Sequence, residues 1–151
     1  ETATTIEGNA AMKAGYVRNH FGYDCFADDT GLEVAALDGE PGVYSARYAG
    51  EGRSARANML KLLKNLEGKE NRNARFKTVI ALTIKLEAVM FVGLCDGVIT
   101  QEEQGTGGFG YDPIFKPNGS DKTFAEMTLQ QKSEIGHRGK AMRQLIDYLT
   151  A

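Results

Sequence analysis

Two adjacent carboxylates, Asp28 and Asp29, stand between the short apolar stretches 23–27 and 32–37. An Asp-Asp-Thr-Gly segment between such stretches predicts a turn that ends one strand and begins the next. Carboxylate oxygens presented at a strand end can hold Mg²⁺, and a carboxylate can also take the proton of an attacking water. The alternative is a solvated turn without a ligand, because Asp side chains commonly bond to their own backbone in turns.

A glycine-rich segment, residues 105–110 with the sequence GTGGFG, is the second candidate. It matches the G-x-G-x-x-G pattern of dinucleotide sites, but that pattern must open a helix, and here it runs into Tyr111-Asp112-Pro113. One interpretation is a loop whose small residues let the backbone approach a flat ring, with Phe109 and Tyr111 offering aromatic faces and Asp112 an acceptor. The other is a glycine-rich turn with core aromatics.

Cationic side chains supply the third group of candidates. His137 and Arg138 stand at the predicted start of the last helix, and Lys132 precedes them. Free N–H groups at a helix start, together with cations, favour an anionic or carbonyl-rich ligand, although a His-Arg pair at such a place is also common on plain surfaces. Lys13, within the first predicted helix, has the pattern of a solvated cation.

Composition limits the class of protein. The chain has 151 residues, 42% of them hydrophobic, which fits one domain spanning residues 1–151. A formal charge of -2 provides no broad positive field for a nucleic-acid backbone. Cys25 and Cys95 lack the spacing of a disulfide framework or a zinc site. No apolar run approaches the roughly 20 residues that span a bilayer, so we expect a cytoplasmic protein with reduced thiols.

The elements that must position these residues form a mixed α/β pattern. A T-x-x-E capping box at Thr4 predicts a first helix that ends at Gly22, and Ser54 begins a second helix. The β-branched runs 76–86 and 89–94 predict a hairpin, and residues 97–100 predict a further short strand. Helices around a largely antiparallel central sheet are therefore expected.

These segments together resemble the inosine triphosphate pyrophosphatase-like family of non-canonical purine nucleotide pyrophosphatases. The matching stretches are residues 9–14 (NAAMKA), 27–32 (ADDTGL), 41–48 (PGVYSARY) and 105–115, followed by Lys132-Ser133 and His137-Arg138-Gly139. They come in the family's order and extend over almost the whole chain. The resemblance implies an elongated fold with the nucleotide site in a cleft between two lobes, and a homodimer.

The resemblance also implies roles for individual residues. Asp29 would be the proton acceptor and a Mg²⁺ ligand, with Asp28 supporting it, while Thr30 would contact substrate and Lys13 would face the phosphates. The rest of the nucleotide pocket would comprise Phe109, Gly110, Tyr111, Asp112, Lys132, His137 and Arg138. The implied reaction is hydrolysis of ITP, dITP and XTP to nucleoside monophosphate and pyrophosphate. The alternatives are a purine-nucleotide-binding module that does not hydrolyse its ligand, and an interaction domain with a decorative acidic turn.

Two departures from the family pattern bear on the site. Gly8 stands where the family usually has a Glu before the Asn that matches Asn9, so a second metal carboxylate would come from Glu7 or Glu1. The family also begins with a strand and a T-x-N-x-x-K-like loop that cradles the triphosphate, and the chain as written has no counterpart. We therefore expect the natural protein to be longer and this chain alone to be impaired.

Overall fold

A computed structural model describes residues 3–85 and 87–150. The α-helices of this part are α1 (Ile6–Phe21), α2 (Ala55–Asn65), α3 (Leu129–Ile135) and α4 (His137–Thr150). The strands are β1 (Cys25–Val34), β2 (Pro41–Gly42), β3 (Asn73–Ile84), β4 (Glu87–Ile99) and β5 (Phe115–Pro117). Within these ranges no helix has the length and apolarity needed to cross a membrane.

The strands form one five-stranded sheet in the order β2-β1-β3-β4-β5, and every pairing is antiparallel. This confirms the predicted mixed α/β class. β3 and β4 form the predicted hairpin, but β3 extends to Ile84 and β4 begins at Glu87, so the connection is shorter than the predicted residues 85–88. Leu86 itself lies outside the described residues. The two faces of the sheet are covered by different helices.

Alternation along β3 shows which helix covers which face. Val79 and Ala81 pack in one cluster with Ile6 and Ala10 of α1. Their neighbours Ile80 and Leu82 pack in another cluster with Ala141 and Leu145 of α4. Successive side chains of a strand point to opposite faces, so α1 and α4 lie on opposite sides of the sheet. A third and larger cluster joins the α4 side of β1 and β3 to α2.

The acidic segment is not a turn, and this prediction was wrong. β1 runs without interruption from Cys25 to Val34 and pairs with β3 along its whole length. Ten consecutive backbone pairings outweigh the low strand propensity of Asp and Gly, since that propensity depends strongly on context. Because side chains alternate, Asp28 points to the α4 face and Asp29 to the α1 face.

Three other boundaries differ from the sequence-based expectation. Residues 97–99 continue β4 instead of forming a separate strand. The N-cap of α1 is Thr5, whose hydroxyl accepts a hydrogen bond from the backbone N–H of Gly8, so the cap lies one residue after Thr4. The last helical region is divided at Gly136 into α3 and α4, which places His137 at the first position of α4. Ser54 caps α2 as predicted.

Close contact between α4 and β4 predicts an intolerant glycine at position 93. A Cβ at Gly93 would lie 2.7 Å from the backbone nitrogen of Ala141 and would also meet the carbonyl oxygen of His137. We expect Gly93→Ala to lower the free energy of unfolding in urea by about 1–3 kcal/mol, because α4 must move away from the sheet. Gly15→Ala is the matched control, since nothing lies within 4 Å of its Cβ position in α1. Gly15→Ala should stabilise the protein by roughly 0.5–1 kcal/mol. Equal free energies of unfolding for Gly93→Ala and the parent would contradict the packing described.

Candidate functional site

A cavity of about 380 Å³ opens on the α4 side of the sheet, between β1, the segment before α2, the 109–112 loop and the start of α4. This volume falls within the range of small-ligand pockets. Most of the predicted substrate-binding residues line it: Thr30, Phe109, Gly110, Tyr111, Asp112, Lys132, His137 and Arg138. A second cavity of about 460 Å³ shares Phe109, Lys132, His137 and Arg138 with the first. The predicted residues of the 109–112 loop, Lys132, His137 and Arg138 thus meet Thr30 at one place.

An ion pair between Asp112 and Lys132 forms one wall of the cavity. Lys132 Nζ lies 2.6 Å from Asp112 Oδ2, and the two side chains are only 16% and 3% exposed. The same carboxylate oxygen accepts the backbone N–H of Phe109 at 3.0 Å. Gly108 permits this approach, because its φ is +70° and a Cβ there would lie 2.9 Å from Asp112 Cβ. An acceptor and a cation are therefore held in fixed positions at the wall.

Aromatic rings provide flat surfaces around the same wall. Phe109 is 67% exposed, and Lys132 Nζ lies 4.3 Å from the centre of its ring. Tyr111 differs from its predicted role as an open aromatic face: it is 5% exposed and its hydroxyl donates to the carbonyl oxygen of Ser45 at 2.7 Å. Burial raises the pKa of Tyr111, so the phenol stays protonated. Phe109 is thus the accessible ring, and Tyr111 holds the loop against the opposite wall.

His137 forms part of the cavity floor. Its ring stacks on Phe76 with centroids 4.6 Å apart and planes inclined by 13°. Burial lowers the pKa of His137 to about 3, and the charges of Lys132, Arg138 and Lys140 contribute in the same direction. His137 Nδ1 is buried without a hydrogen-bond partner among the described residues. The ring is therefore neutral at physiological pH and does not supply the positive charge that the sequence suggested.

Thr30 and Arg138 connect the cavity to β1. Arg138 Nη2 lies 3.4 Å from Thr30 Oγ1, and Arg138 Nε lies 3.7 Å from Asp28 Oδ2. The hydroxyl of Thr30 also shares a 2.8 Å hydrogen bond with Thr78 on β3. Both contacts of Arg138 are long, and its side chain is 55% exposed.

Asp29 and Lys13 lie together on the opposite face of the sheet and do not line the cavity. Lys13 Nζ donates to the carbonyl oxygen of Asp28 at 2.7 Å and to Asp29 Oδ1 at 3.1 Å. Lys13 is consequently an anchored cation, and the solvated role inferred from its helical context was wrong. The Asp29 side chain is 11% exposed.

An open strand edge separates Asp29 from the cavity. β2 pairs with β1 only at Leu32 and Glu33, so in the described part of the chain residues 25–31 pair with β3 alone. Thr30 on one face and Asp29 on the other therefore meet at an edge that no described strand covers.

Glu7 and Glu1 are the two candidates for a second metal carboxylate. Glu7 Oε2 lies 2.9 Å from Lys77 Nζ, and this hydrogen bond is the main cause that lowers the pKa of Glu7. Glu1 lies outside the described residues. Across residues 3–85 and 87–150, no group of three or more His, Cys, Asp or Glu side chains is placed to hold a metal ion.

Sequence reasoning missed several residues of the cavity. Asn58, only 3% exposed, receives the backbone N–H of Ala49 and donates to the carbonyl oxygens of Ser45 and Ala46. It thereby holds the wall opposite Lys132. Phe76 and Arg53 also line the cavity. Phe76 had the signal of an ordinary inward-facing strand residue, and Asn58 that of a polar residue in an amphipathic helix, so no local pattern set them apart.

The depressed pKa of His137 predicts a measurable pH dependence of stability. The unfolded chain binds a proton to this residue below about pH 6.5, whereas the folded chain does not until about pH 3. Stability is therefore lost as pH falls through this window, by up to about 1.4 kcal/mol per pH unit. We expect the free energy of unfolding in urea, measured at pH 7, 6 and 5, to fall less steeply for His137→Phe than for the parent protein. Parallel pH profiles for the two proteins would contradict a neutral buried His137.

The sequence of this chain is similar to those of known proteins. The model of the Ham1 family matches residues 1–148. A dITP/XTP pyrophosphatase of Flavobacterium johnsoniae is 64% identical over 151 residues, which cover 100% of this chain and 79% of the relative. A dITP/XTP pyrophosphatase of Porphyromonas gingivalis is 52% identical over 99% of this chain and 77% of the relative.

Solved structures agree with the sequence comparison. The Ham1 protein of Staphylococcus aureus superposes with a TM-score of 0.97 at 44% identity, covering 99% of this chain and 79% of that one. A HAM1 protein of Coxiella burnetii gives a TM-score of 0.96 at 40% identity, with the same coverage of 99% and 79%. Sequence and fold agree along nearly the whole length, and the chain belongs to the Ham1 family.

Proposed function

We propose that this protein hydrolyses the non-canonical purine nucleoside triphosphates dITP, XTP and ITP to nucleoside monophosphate and pyrophosphate. The observation that carries the proposal is the cavity wall in which Asp112 and Lys132 present a fixed acceptor and a fixed cation beside the exposed ring of Phe109. Relatives that are 52–64% identical over almost the whole chain are dITP/XTP pyrophosphatases, which supports the same substrate class here.

The wall accounts for selection of a 6-oxo purine. A carbonyl at position 6 can accept from the Lys132 ammonium, and a protonated N1 can donate to the Asp112 carboxylate. Adenine reverses both groups, since its 6-amino group is a donor and its N1 is an acceptor. In adenine the 6-amino group and N1 would therefore be buried in the cavity without hydrogen-bond partners, which is costly. Phe109 offers a stacking surface for the base.

The phosphate end of the substrate is assigned to Asp29 and Lys13. With the base in the cavity, the phosphates extend past Thr30 toward Asp29 and Lys13. There the ammonium of Lys13 faces the phosphates while its contacts with Asp28 and Asp29 hold it in place. This arrangement uses both sides of one strand for a single extended ligand.

Asp29 is proposed to accept the proton of the attacking water. The water oxygen attacks the α-phosphorus, the bond from that phosphorus to the bridging oxygen breaks, and pyrophosphate leaves. Lys13 keeps the Asp29 carboxylate oriented. Only a positioned carboxylate is needed for this role.

A magnesium ion fits the residues present at this end. Mg²⁺ prefers oxygen ligands and is commonly held by one or two carboxylates together with substrate phosphates, and the side chain of Asp29 offers such oxygens. When bound, the ion would neutralise phosphate charge and lower the pKa of a coordinated water. No cage of protein ligands is required, in keeping with the absence of a three-residue cluster among the described residues.

We also propose that the protein is cytoplasmic and forms a homodimer. The dimer is supported by the family resemblance and by apolar side chains such as Met90 and Val92, which are 43% and 37% exposed on the α1 side of β4. Neighbouring exposed apolar residues are typical of association surfaces.

Substrate selection is tested on the protein at the full length encoded by its gene. We expect pyrophosphate release from dITP and XTP in the presence of Mg²⁺, with kcat/KM for dATP lower by about a hundredfold or more, because reversed donors and acceptors cost several kcal/mol. EDTA should abolish turnover. Equal rates for dITP and dATP would remove the assigned role of Asp112 and Lys132, and tight dITP binding without product would favour the binding-module alternative.

Asp29→Asn is expected to lower kcat by about a hundredfold or more, because the amide cannot accept the proton of the water. Its neighbour provides the matched control: Asp28 points to the other face of the sheet, and its carboxylate is 47% exposed at 3.7 Å from Arg138. Asp28→Asn should cost less than about tenfold, as expected for a partly exposed ion pair. Similar losses in both variants, measured by pyrophosphate release with folding checked by circular dichroism, would count against the assignment.

A further inference from the structure

The α1 side of the sheet carries a row of ion pairs. In the described residues these are Lys13–Asp29 at 3.1 Å, Lys77–Glu7 at 2.9 Å and Arg75–Glu33 at 2.7 Å. The strand register gives their order. Asp29 lies opposite Val79, Gly31 lies opposite Lys77, and Glu33 lies opposite Arg75. The Lys77 pair therefore lies next to Asp29, and the Arg75 pair lies one step farther away.

Lys77 is placed and restrained as a ligand-binding cation would be. It is a diagonal cross-strand neighbour of Asp29. The Cα atoms of such neighbours are about 7–8 Å apart, which a long side chain can span. Its side chain is only 14% exposed, whereas that of its partner Glu7 is 42% exposed. An ammonium has three N–H donors, and Glu7 is the acceptor that the described residues supply.

The proposed reaction brings negative charge close to this position. A nucleoside triphosphate and the Asp29 carboxylate are all anionic, and Lys13 is already hydrogen-bonded to Asp29. We infer that Lys77 is an additional phosphate-binding residue, which contacts the phosphates that leave as pyrophosphate, and that Glu7 positions it. This inference rests on the proposed function for its ligand. It gives Glu7 the role of partner to Lys77 in place of a second metal ligand.

The test is calorimetric binding of magnesium pyrophosphate to the full-length protein, with inosine monophosphate as a second ligand. Lys77→Met should weaken pyrophosphate binding by about tenfold or more, the size expected for a lost hydrogen bond between charged groups. Binding of the monophosphate, which occupies the cavity, should change less than about twofold and reports that the variant is folded. Lys77→Arg, which keeps the charge, should restore most of the affinity.

Arg75→Met is the matched control, because Arg75 forms the same kind of pair on the same strand and face but farther from Asp29. Unchanged pyrophosphate binding in Lys77→Met, or an equal loss in Arg75→Met, would overturn the inference. If Lys77→Met does not fold, the parent protein is used in a second experiment. Pyrophosphate should protect Lys77, but not the exposed Lys64, from chemical acetylation measured by mass spectrometry. Absence of protection at Lys77 would overturn the inference.

The two proposals fail separately. Loss of pyrophosphate affinity in Lys77→Met without any turnover of dITP by the parent would support the phosphate-binding role and reject the hydrolase. Normal turnover of dITP with unchanged pyrophosphate affinity in Lys77→Met would support the hydrolase and reject the role of Lys77.

Discussion

The antiparallel pairing of β1 with β3 decides on which side of the sheet each reactive side chain lies. The register sets Asp29 opposite Val79 on the α1 face and Thr30 opposite Thr78 on the α4 face. A slip of one residue would exchange the two faces of the strand, so Asp29 would enter the cavity and Thr30 would leave it. The apolar side chains that β3 buries on both faces oppose such a slip. The position of the chemistry thus depends on the packing of ordinary core residues.

The polar wall of the cavity satisfies a different requirement. A nearly buried ion pair such as Asp112–Lys132 loses much of its hydration, and the attraction between the charges often only offsets that loss. Such a pair is a weak source of stability but a precise way to present a donor and an acceptor. The backbone N–H of Phe109 and the close approach at Gly108 fix the carboxylate further. The proposed recognition of the base makes use of this fixed geometry.

Sequence reasoning found most of the cavity because its residues stand in short, distinctive segments. Phe109 to Asp112, Lys132, His137 and Arg138 were predicted together, and the structure brings them into one cavity. The division of Asp28 and Asp29 between two faces was missed, because Asp-Asp-Thr-Gly has the local signal of a turn and only pairing with a distant strand makes it extended. The neutral state of His137 and the buried role of Tyr111 were missed for a similar reason. Both follow from tertiary burial, which no local pattern reports.

Phe76 belongs to the cavity floor and to the protein core at once. Its ring stacks on His137 and contacts Phe115 and Phe124, with centroids 4.7 Å and 5.8 Å away. A change made there to admit a larger or smaller base would also remove or crowd core contacts, at a cost of several kcal/mol for a large truncation. Phe109, by contrast, is 67% exposed. A substitution at this proposed base-stacking residue would therefore not first need compensating mutations to keep the protein folded.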